Sequence, residues 1–366
     1  MPPTLSRRGL NRATLARQLL LAREDLSVTV AIGRLAGLQA QEPRPPFGGL
    51  WSRVAGFERA DLFRALHDRE IVRATMMRGT LHLVTADDYV AWRAPTQEVL
   101  AQGLRVLGSR ADGIDVAALL ATARELLADG PLTFTELRPL LHAAYPAVDE
   151  RALGFTVRMY VPLVMVPTEH RWGFPSVARF TPAEGWLGRP LDGTGGPAAM
   201  VLRYLAAFGP ASVADAQAWS GLPGLQAVFE GLRRGGVALE QFIDERGRTL
   251  YDLPDAPRPD EDTPAPARFL PDFDNLVLAH DDRTRVIADE HRGAVATKNL
   301  RIRATFTQDG FVAGTWQVER KRKAAALVLT PFQPLPGASV DELTAEGHEL
   351  LRFLEDDADT YDVRLS

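Results

Sequence analysis

The sequence predicts an α+β protein in which three tandem winged-helix units are followed by a small C-terminal antiparallel β barrel. The order helix, helix, helix, hairpin, which is typical of a winged helix, occurs near the N-terminus and then recurs. Two Gly-Pro helix starts lie about 80 residues apart, which indicates a structural repeat. After a proline-rich linker, the apolar pattern changes to short β-prone runs, and these predict the barrel.

The first predicted unit spans residues 1–110. Apolar residues recur at helical spacing over residues 10–38, which predicts two helices, and a third is predicted near residues 58–67. Residues 71–84 hold two short β-prone runs around a tight turn, which predict a hairpin. Between the helices, three prolines should forbid helix: Pro43, Pro45 and Pro46.

The second predicted unit spans residues 111–195. After a helix that ends near residue 128, a Gly-Pro pair opens the next one, with Thr133 as its N-cap and Glu136 as the capping-box partner. Residues 150–161 predict the third helix, and residues 171–174 mark a wing.

The third predicted unit spans residues 196–254 and repeats the pattern. Its elements are three helices and a strand pair, predicted over residues 197–208, 213–219, 224–234, 237–243 and 249–253.

A linker rich in proline and acidic residues follows over residues 254–268. Beyond it, residues 265–366 form the predicted barrel, which a helix over 340–354 and a strand over 361–365 complete. The β-prone runs of the barrel are residues 276–278, 286–287, 300–306, 310–318 and 325–329.

Composition excludes several classes of protein. The chain has 366 residues, a net charge of −5 and no cysteine, which excludes disulfide frameworks, Cys-ligated zinc, iron–sulfur clusters and thiol catalysis. No apolar run approaches the roughly 20 residues that a membrane-spanning helix needs, and no apolar stretch typical of a secretory signal follows the N-terminus. We therefore expect a cytoplasmic protein with no membrane partner.

Charge is distributed unevenly along the chain. Residues 1–110 carry a net +6, residues 283–323 a net +6, and residues 339–366 a net −7. A mildly acidic total thus hides two basic segments, which permit an anionic partner on one face; the alternative is ordinary solvated surface. Of the 42 basic residues 39 are arginine; a GC-rich genome explains this bias, although the arginine fork also suits phosphates.

No pattern for metal or cofactor chemistry is present. The seven histidines form neither a His-x-Glu nor a His-Glu-x-x-His motif, so zinc has no support. The glycine-rich residues 193–196 lack the Lys-Ser/Thr and the preceding strand of a phosphate loop. No nucleophile elbow is visible. We expect no cofactor and no metal.

One polar pair stands out: Gln39 and Gln41, at the end of a predicted helix. If the backbone is extended there, both side chains project the same way, as in a strand. If it stays helical, they diverge by about 200 degrees. Two amides on one face offer paired donors and acceptors to a water or a base edge, whereas two glutamines at a helix end are otherwise common surface residues.

The ordered motifs around this pair resemble the AlkZ family of winged-helix DNA glycosylases. Gln39-Ala40-Gln41 resembles the family's Gln-x-Gln motif, and the resemblance extends over nearly the whole chain. The supporting strings are ATMMRGTLHL at 74–83, RWG at 171–173, DAQAWSGL at 215–222 and LPDFDNL at 270–276.

The resemblance implies a monofunctional DNA glycosylase. Its substrate would be N7-alkylguanine in double-stranded DNA, including azinomycin-type interstrand crosslinks, and its roles DNA repair and antibiotic self-resistance. It also implies the fold expected above, and it gives Gln39 and Gln41 the catalytic role. No lysine lies near the motif, which argues against a Schiff-base lyase.

Alkylation at N7 already charges the purine, so the enzyme must only position a water and stabilise an oxocarbenium-like sugar. An amide is a poor base, so a carboxylate should take the proton, and the candidates are Glu42 and Asp61. Met77 and His82 are candidates to line the cleft, with a place in the core as the alternative. Since a crosslinked guanine cannot swing out freely, we expect an open cleft.

The candidate DNA contacts are basic. A run at a predicted hairpin tip suits phosphates or the minor groove, with a charged edge strand as the alternative: Arg320, Lys321, Arg322 and Lys323. Arg246 and Arg248 lie at a predicted wing tip. Arg73 and Arg78 would bind phosphate or pair with Glu70 and Asp87. We expect the acidic C-terminal segment to lie away from DNA.

Two other classes of function remain open from the sequence. The first alternative is a non-catalytic winged-helix regulator that binds duplex DNA, although the predicted second helices such as residues 213–219 offer few side chains that read bases. The other is a protein-interaction array, which would not need the basic run at 320–323. In the favoured interpretation the partner is double-stranded DNA and the protein is a monomer.

Overall fold

The computed structural model describes residues 2–191, 195–297 and 301–366, and it has a mixed α+β fold. Within these residues no helix is long and apolar enough to cross a bilayer. The helices are α1 (Arg7–Arg17), α2 (Val28–Arg34), α3 (Pro45–Trp51), α4 (Arg59–His67), α5 (Ala86–Gly103), α6 (Val116–Ala128), α7 (Phe134–Ala144), α8 (Glu150–Tyr160), α9 (Ala183–Leu187), α10 (Gly196–Phe208), α11 (Val213–Ser220), α12 (Leu225–Arg234), α13 (Arg292–Val295) and α14 (Gly337–Leu354).

The strands form three sheets. They are β1 (Thr4–Leu5), β2 (Leu38–Gln39), β3 (Ile71–Thr75), β4 (Leu81–Thr85), β5 (Leu163–Met165), β6 (Phe180–Pro182), β7 (Glu240–Asp244), β8 (Thr249–Asp252), β9 (Arg268–Leu270), β10 (Thr305–Gln308), β11 (Phe311–Lys321), β12 (Ala324–Pro331) and β13 (Thr360–Leu365). The orders within the sheets are β1-β7-β8, β2-β4-β3-β5-β6 and β13-β12-β11-β10-β9.

Local signals in the sequence place most helices where they were predicted. The capping box of α7 is present: the backbone N–H of Glu136 donates to Thr133 Oγ1 over 3.1 Å, and the N–H of Thr133 donates to the Glu136 carboxylate over 2.8 Å. Helices α10, α11 and α12 also begin and end within one residue of their predicted bounds.

Helix α3 contradicts the prediction that prolines forbid helix in this segment. It begins at Pro45, with Pro46 as its second residue. The first residues of a helix have no intrahelical acceptor for their N–H, and the fixed φ of proline suits that position, so proline starts a helix as readily as it breaks one. Phe47, in the same turn, is buried and makes an edge contact with Trp172.

The hairpins of the first two predicted units belong to one five-stranded sheet. Strand β3 pairs with β4, and Ala74 of β3 also pairs with Val164 of β5. Strand β1 pairs in parallel with β7, from the third predicted unit. Each predicted unit therefore contains helices followed by a strand pair, but α3, α5 and α9 are additional helices that were not predicted. The hairpins are also joined across the expected unit boundaries.

The C-terminal sheet is open and mixed, so the prediction of a closed antiparallel barrel is wrong. Strands β9 and β13 are its edges, and β13 runs parallel to β12. Helix α14 covers the sheet, and Gly347 packs closely against Leu327 and Val363. A helix thus buries the apolar face that barrel closure would otherwise bury.

Within the C-terminal part, two predicted β runs are not strands: residues 276–278 lie in and beside a 3₁₀ turn, Asn275–Val277, and residues 286–287 lie in a turn. Residue 300, the start of another run, lies outside the described residues, as do residues 193–194 and Lys298. The predicted linker contains neither helix nor strand from residue 253 to residue 267.

Polar side chains of α1 tie the N-terminus to distant parts of the chain. Asn11 donates to the carbonyls of Arg285 and Gly310 over 2.8 Å each. Arg17 forms a buried ion pair with Asp252, with Nη1 and Oδ1 2.7 Å apart. Because buried polar groups are costly unless they are paired, these contacts fix α1 in one position between the third helical group and the C-terminal sheet.

Candidate active site

Gln39 lies in an extended segment, strand β2, and not in a helix, so of the two backbone conformations that the sequence allowed, the extended one is present. It pairs with His82 across β2 and β4, and the N–H of Ala40 donates to the carbonyl of Leu81 over 2.7 Å. The Gln39 side chain is largely buried, at 9% exposure. Its Oε1 accepts a hydrogen bond from Nη2 of Arg78 over 2.7 Å.

Gln41 lies two residues further along and is exposed. Its Oε1 accepts from the backbone N–H of Leu81 over 3.3 Å. The two glutamines therefore lie along the same edge of β4, one buried and one open to solvent.

Arg73 donates hydrogen bonds to the backbone of the Gln39-Ala40-Gln41 motif. Its Nε donates to the carbonyl of Ala40 over 2.9 Å and its Nη2 to that of Gln41 over 3.2 Å, while Phe174 covers its guanidinium at 5.0 Å. Burial, with the charge of Arg158, lowers the pKa of Arg73 to about 10, so it stays a cation near neutrality. At 3% exposure it cannot meet a phosphate, so the expectation of DNA contact is wrong.

Arg73 forms neither of the ion pairs expected for it. Glu70 instead accepts from Thr29, and Asp87 pairs with Arg189.

Arg78 links three parts of the site. It has left-handed backbone, with φ 55°, and its Nη1 donates to the carbonyl of Trp219 at the end of α11. Its Nη2, which bonds Gln39, also lies 3.5 Å from Nε2 of His82. Burial, together with the charge of Arg283, lowers the pKa of Arg78 to about 10, and it too remains a cation at neutral pH.

His82 is fully buried and neutral. Nδ1 lies 3.1 Å from the carbonyl of Thr80, an acceptor only, so Nδ1 carries the proton and Nε2 faces Arg78 as an acceptor. Burial and the charge of Arg78 lower the pKa of His82 to about 3. It therefore orients Arg78 and does not line the cleft, because its exposure is 0%.

Met77 is part of the core, at 0% exposure, so its predicted place in the cleft is also wrong. The reason is packing: its methyl group lies 3.8 Å from the position that a Cβ of Gly37 would occupy, beneath the motif.

An open polar cleft of about 690 Å³ begins at Glu42, the residue after the motif. It lies between the start of α3 and the C-terminal sheet. Nη2 of Arg301 lies 3.9 Å from Oε1 of Glu42, and Nε of Arg301 lies 3.5 Å from Oδ1 of Asp272. Arg44, Arg303 and Trp316 also line the cleft. Two carboxylates and several guanidinium groups therefore line the cleft, and one of the carboxylates belongs to Glu42, the residue that follows Gln41 in the chain.

Sequence reasoning missed most of this cleft. Asp272 lies within the LPDFDNL string, and its position just before an apolar segment was the one sequence feature that marked it as a candidate. No local pattern could have brought Arg301 or Trp316 to the same place, because only the C-terminal sheet does so.

Asp61, the second candidate proton acceptor, is a helix cap. Its carboxylate accepts the N–H of Glu58 over 3.0 Å at the start of α4, and Arg64 lies 3.6 Å away. The carboxylate therefore satisfies a helix end, and we withdraw Asp61 as a candidate.

The basic hairpin lies where it was predicted, at the turn between β11 and β12, with Arg322 and Lys323 as the two turn residues. Arg320 pairs with Asp357, with Nη2 and Oδ2 3.0 Å apart, and Lys323 donates to the carbonyl of the same residue over 2.9 Å. The acidic segment, which was expected to lie away from DNA, thus lies against the base of the hairpin that was predicted to contact DNA. Lys321 and Arg322 are exposed and form no ion pair with any described residue.

The second basic tip is already matched by carboxylates. Arg246 lies 3.0 Å from Asp282, and Arg248 lies 2.6 Å from Asp244 and 2.7 Å from Asp282. Its positive charge is therefore largely balanced within the protein.

The described residues contain no cluster of three or more His, Asp or Glu side chains that could hold a metal ion. The arrangement offers an open cleft lined by carboxylates and guanidinium groups, with two fixed amides in the segment that leads into it. This suits an enzyme that acts on an anionic substrate by positioning and electrostatics.

Comparison with known proteins identifies the family to which this chain belongs. The sequence model of a family described as DNA glycosylase AlkZ-like matches residues 32–353, so the chain belongs to that family and is a DNA glycosylase. The alternatives of a non-catalytic regulator and of a protein-interaction array are therefore set aside.

The relatives agree with this assignment. The chain is 27% identical over 359 residues to a protein of Streptomyces sahachiroi named "Interstrand DNA cross-link repair glycosylase", covering 90% of this chain and 92% of that one. The structure of Streptomyces sahachiroi DNA glycosylase AlkZ matches the fold with a TM-score of 0.80 at 23% identity, over 99% of this chain and 100% of that one. At 23% identity, the match to the solved structure shows that the two chains share a fold.

Proposed function

We propose that this glycosylase hydrolyses the N-glycosidic bond of N7-alkylguanine in double-stranded DNA, including azinomycin-type interstrand crosslinks, for DNA repair and antibiotic self-resistance. The observation that carries the proposal is the position of Gln39 and Gln41 against the same edge of β4, immediately before Glu42 at an open cleft. The name of the Streptomyces sahachiroi relative supports the crosslink as substrate.

The chemistry needs little more than these groups. An N7-alkylated guanine is a cation, so it leaves without being protonated, and the barrier lies in placing a water and stabilising the positive sugar. In the proposal Gln39 and Gln41 are the catalytic residues that hold the damaged nucleotide and the water. Neither amide is basic enough to take the proton.

We assign the proton to Glu42. Its carboxylate is 49% exposed at the cleft and 3.9 Å from Arg301, so it is accessible to a water without being locked in a tight ion pair. Asp272, on the other side of the same arginine, is the second carboxylate within the cleft.

An open cleft suits a base that is tethered to the opposite strand. Residues 315–318 of β11 line the cleft, and the strand continues to Lys321, about 10 Å beyond at strand spacing. In the proposal Lys321 and Arg322, at the exposed tip of the hairpin, hold the DNA backbone while the lesion sits at the motif. Arg320 and Lys323 are weaker candidates, because both already contact Asp357. We regard Arg246 and Arg248 as weaker contacts, because carboxylates already pair with them.

The finer architecture belongs to the same proposal. The groups of helices and hairpins in residues 1–110, 111–195 and 196–254 would act as winged-helix units that surround the duplex, with residues 265–366 as the C-terminal domain. A monomer would suffice, since the proposed motif, cleft and hairpin belong to one chain.

The test is release of N7-methylguanine from a duplex oligonucleotide, followed by chromatography of the free base. Gln39→Ala combined with Gln41→Ala should lower the single-turnover rate by about 1000-fold, the scale of losing preorganised polar contacts, while DNA affinity stays nearly unchanged.

The matched control replaces two exposed glutamines elsewhere, Gln226→Ala with Gln333→Ala, and should keep full activity. Unchanged release by the motif variant would contradict the catalytic assignment. Activity on N7-methylguanine without unhooking of an N7-linked crosslinked duplex would restrict the substrate to monoadducts.

A further inference from the structure

The orientation of the Gln39 amide is fixed by chemistry. A guanidinium group only donates hydrogen bonds, so the atom of Gln39 that lies 2.7 Å from Nη2 of Arg78 must be the oxygen. The two ends of an amide are otherwise hard to tell apart, but here the partner decides. The Nε2 group of Gln39, with its two N–H bonds, donates to no other described residue.

Gln41 follows the same rule. Its amide faces the backbone N–H of Leu81, which only donates, so Oε1 points to β4 and Nε2 points away from it. Both glutamines therefore direct their oxygens to the protein and leave their N–H groups without a partner in the described part of the chain.

Arg78 is itself held in place. The carbonyl of Trp219 accepts from Nη1, while His82 is neutral and faces Nη2. Gly221 comes within contact of the Arg78 backbone: a Cβ at Gly221 would lie 3.3 Å from the Cα of Arg78 and 3.0 Å from Val99. With φ +81°, Gly221 also has a conformation that favours glycine. The end of α11 therefore fixes the guanidinium, and the guanidinium fixes Gln39.

We propose that Arg78 is a positioning residue that turns the amide of Gln39 so that its N–H groups meet an acceptor atom of the damaged nucleotide. Gln41, held by Leu81, presents its N–H groups in the same way. The pair is thus a hydrogen-bond donor site rather than an acceptor for the hydrogens of the attacking water. This inference rests on the proposed function of Gln39 and Gln41.

The substitution Gln39→Glu separates donor from acceptor. It preserves shape and the oxygen that faces Arg78 but removes both N–H groups. We expect kcat for N7-methylguanine release to fall by about 100-fold or more, close to the loss for Gln39→Ala, with an unchanged or higher Tm. If Gln39→Ala abolishes release while Gln39→Glu stays within about threefold of wild type, the donor inference is overturned and the catalytic assignment stands. If Gln39→Ala retains full release, the proposed function of this residue fails first.

A double-mutant cycle tests the role of Arg78. Arg78→Met should lower kcat by about 10- to 100-fold with little change in KM, and it should have almost no further effect when Gln39→Ala is already present. Arg78→Lys keeps the charge but replaces the two nitrogens that bond Trp219 and Gln39 with one, so its kcat should lie between those of wild type and Arg78→Met. Arg105→Met, at an exposed arginine, is the control and should leave kcat unchanged.

A phosphate contact by Arg78 would give another result. Arg78→Met would then raise KM, reduce the salt dependence of binding, and add its effect fully to that of Gln39→Ala. That outcome would overturn the positioning role, and the Arg78→Lys variant would decide it even if Arg78→Met folded poorly.

Discussion

Arg53 and Asp274 form a two-point ion pair with both side chains withdrawn from solvent. Nη2 lies 2.8 Å from Oδ1 and Nη1 lies 2.9 Å from Oδ2, and the remaining Nε of Arg53 donates to the carbonyl of Gln18 over 3.0 Å. The pair joins the segment after α3 to the LPDFDNL string. Asp274 is two residues from Asp272, which lines the cleft, so the pair anchors the segment that carries Asp272.

Removing one partner of this pair should be costly. Asp274→Ala leaves a buried guanidinium without its carboxylate, and we expect it to lower the free energy of unfolding by about 3–5 kcal/mol in urea denaturation. Arg53→Met combined with Asp274→Leu should cost less than Asp274→Ala alone, because no charge then stays buried. Asp362→Ala, which breaks an exposed pair with Arg364, is the control; an equally small effect of Asp274→Ala would contradict this account.

The sequence predicted correctly those elements that depend on interactions between residues close together in the chain. The capping box at Thr133 and the helices α10 to α12 follow from short-range patterns, and the Gln-x-Gln motif was visible as a string. The pairing of β3 with β5 and the open C-terminal sheet depend on contacts far apart in the chain, so periodicity could not give them.

The site shows the same division. Arg78 and His82 were recognised as candidates, but only the structure shows that one orients Gln39 and the other orients Arg78. For Asp61 the sequence does contain a signal against a catalytic role, because Glu58 and Asp61 have the spacing of a capping box.

The buried neutral ring of His82 makes stability depend on pH. Its pKa is about 3 in the folded protein and about 6.5 when unfolded, so the unfolded state takes up a proton first as pH falls. The stability is fully present above pH 6.5 and falls progressively as the pH drops toward 3. At pH 5 the loss in the free energy of unfolding is about 2 kcal/mol. His82→Gln should therefore lose less stability than wild type between pH 7.5 and pH 5 in urea titrations. An identical pH dependence would show that His82 titrates normally; His170→Gln, at an exposed position, is the control.

The hairpin should contribute to DNA binding through the two basic residues that the acidic segment leaves unpaired. Lys321→Ala with Arg322→Ala should weaken binding to undamaged and damaged duplex alike and reduce the slope of log K against log salt by about 0.9 for each lost phosphate contact. Arg246→Ala with Arg248→Ala, which removes arginines paired with Asp282, should change the slope less. Fluorescence anisotropy over a range of salt concentrations measures both, and equal slopes for wild type and the first variant would place the hairpin outside the interface.

Glu42 should be the carboxylate that the reaction needs. Glu42→Gln keeps the size of the side chain and removes its basicity, so kcat for base release should fall by about 100-fold or more, with DNA affinity unchanged. Asp272→Asn should have a smaller effect, because Asp272 acts through Arg301, which it shares with Glu42. Glu169→Gln, at a side chain 93% exposed, is the matched control. If Asp272→Asn is the more damaging change and Glu42→Gln is nearly silent, the proton goes to Asp272, and Glu42 serves only to hold Arg301.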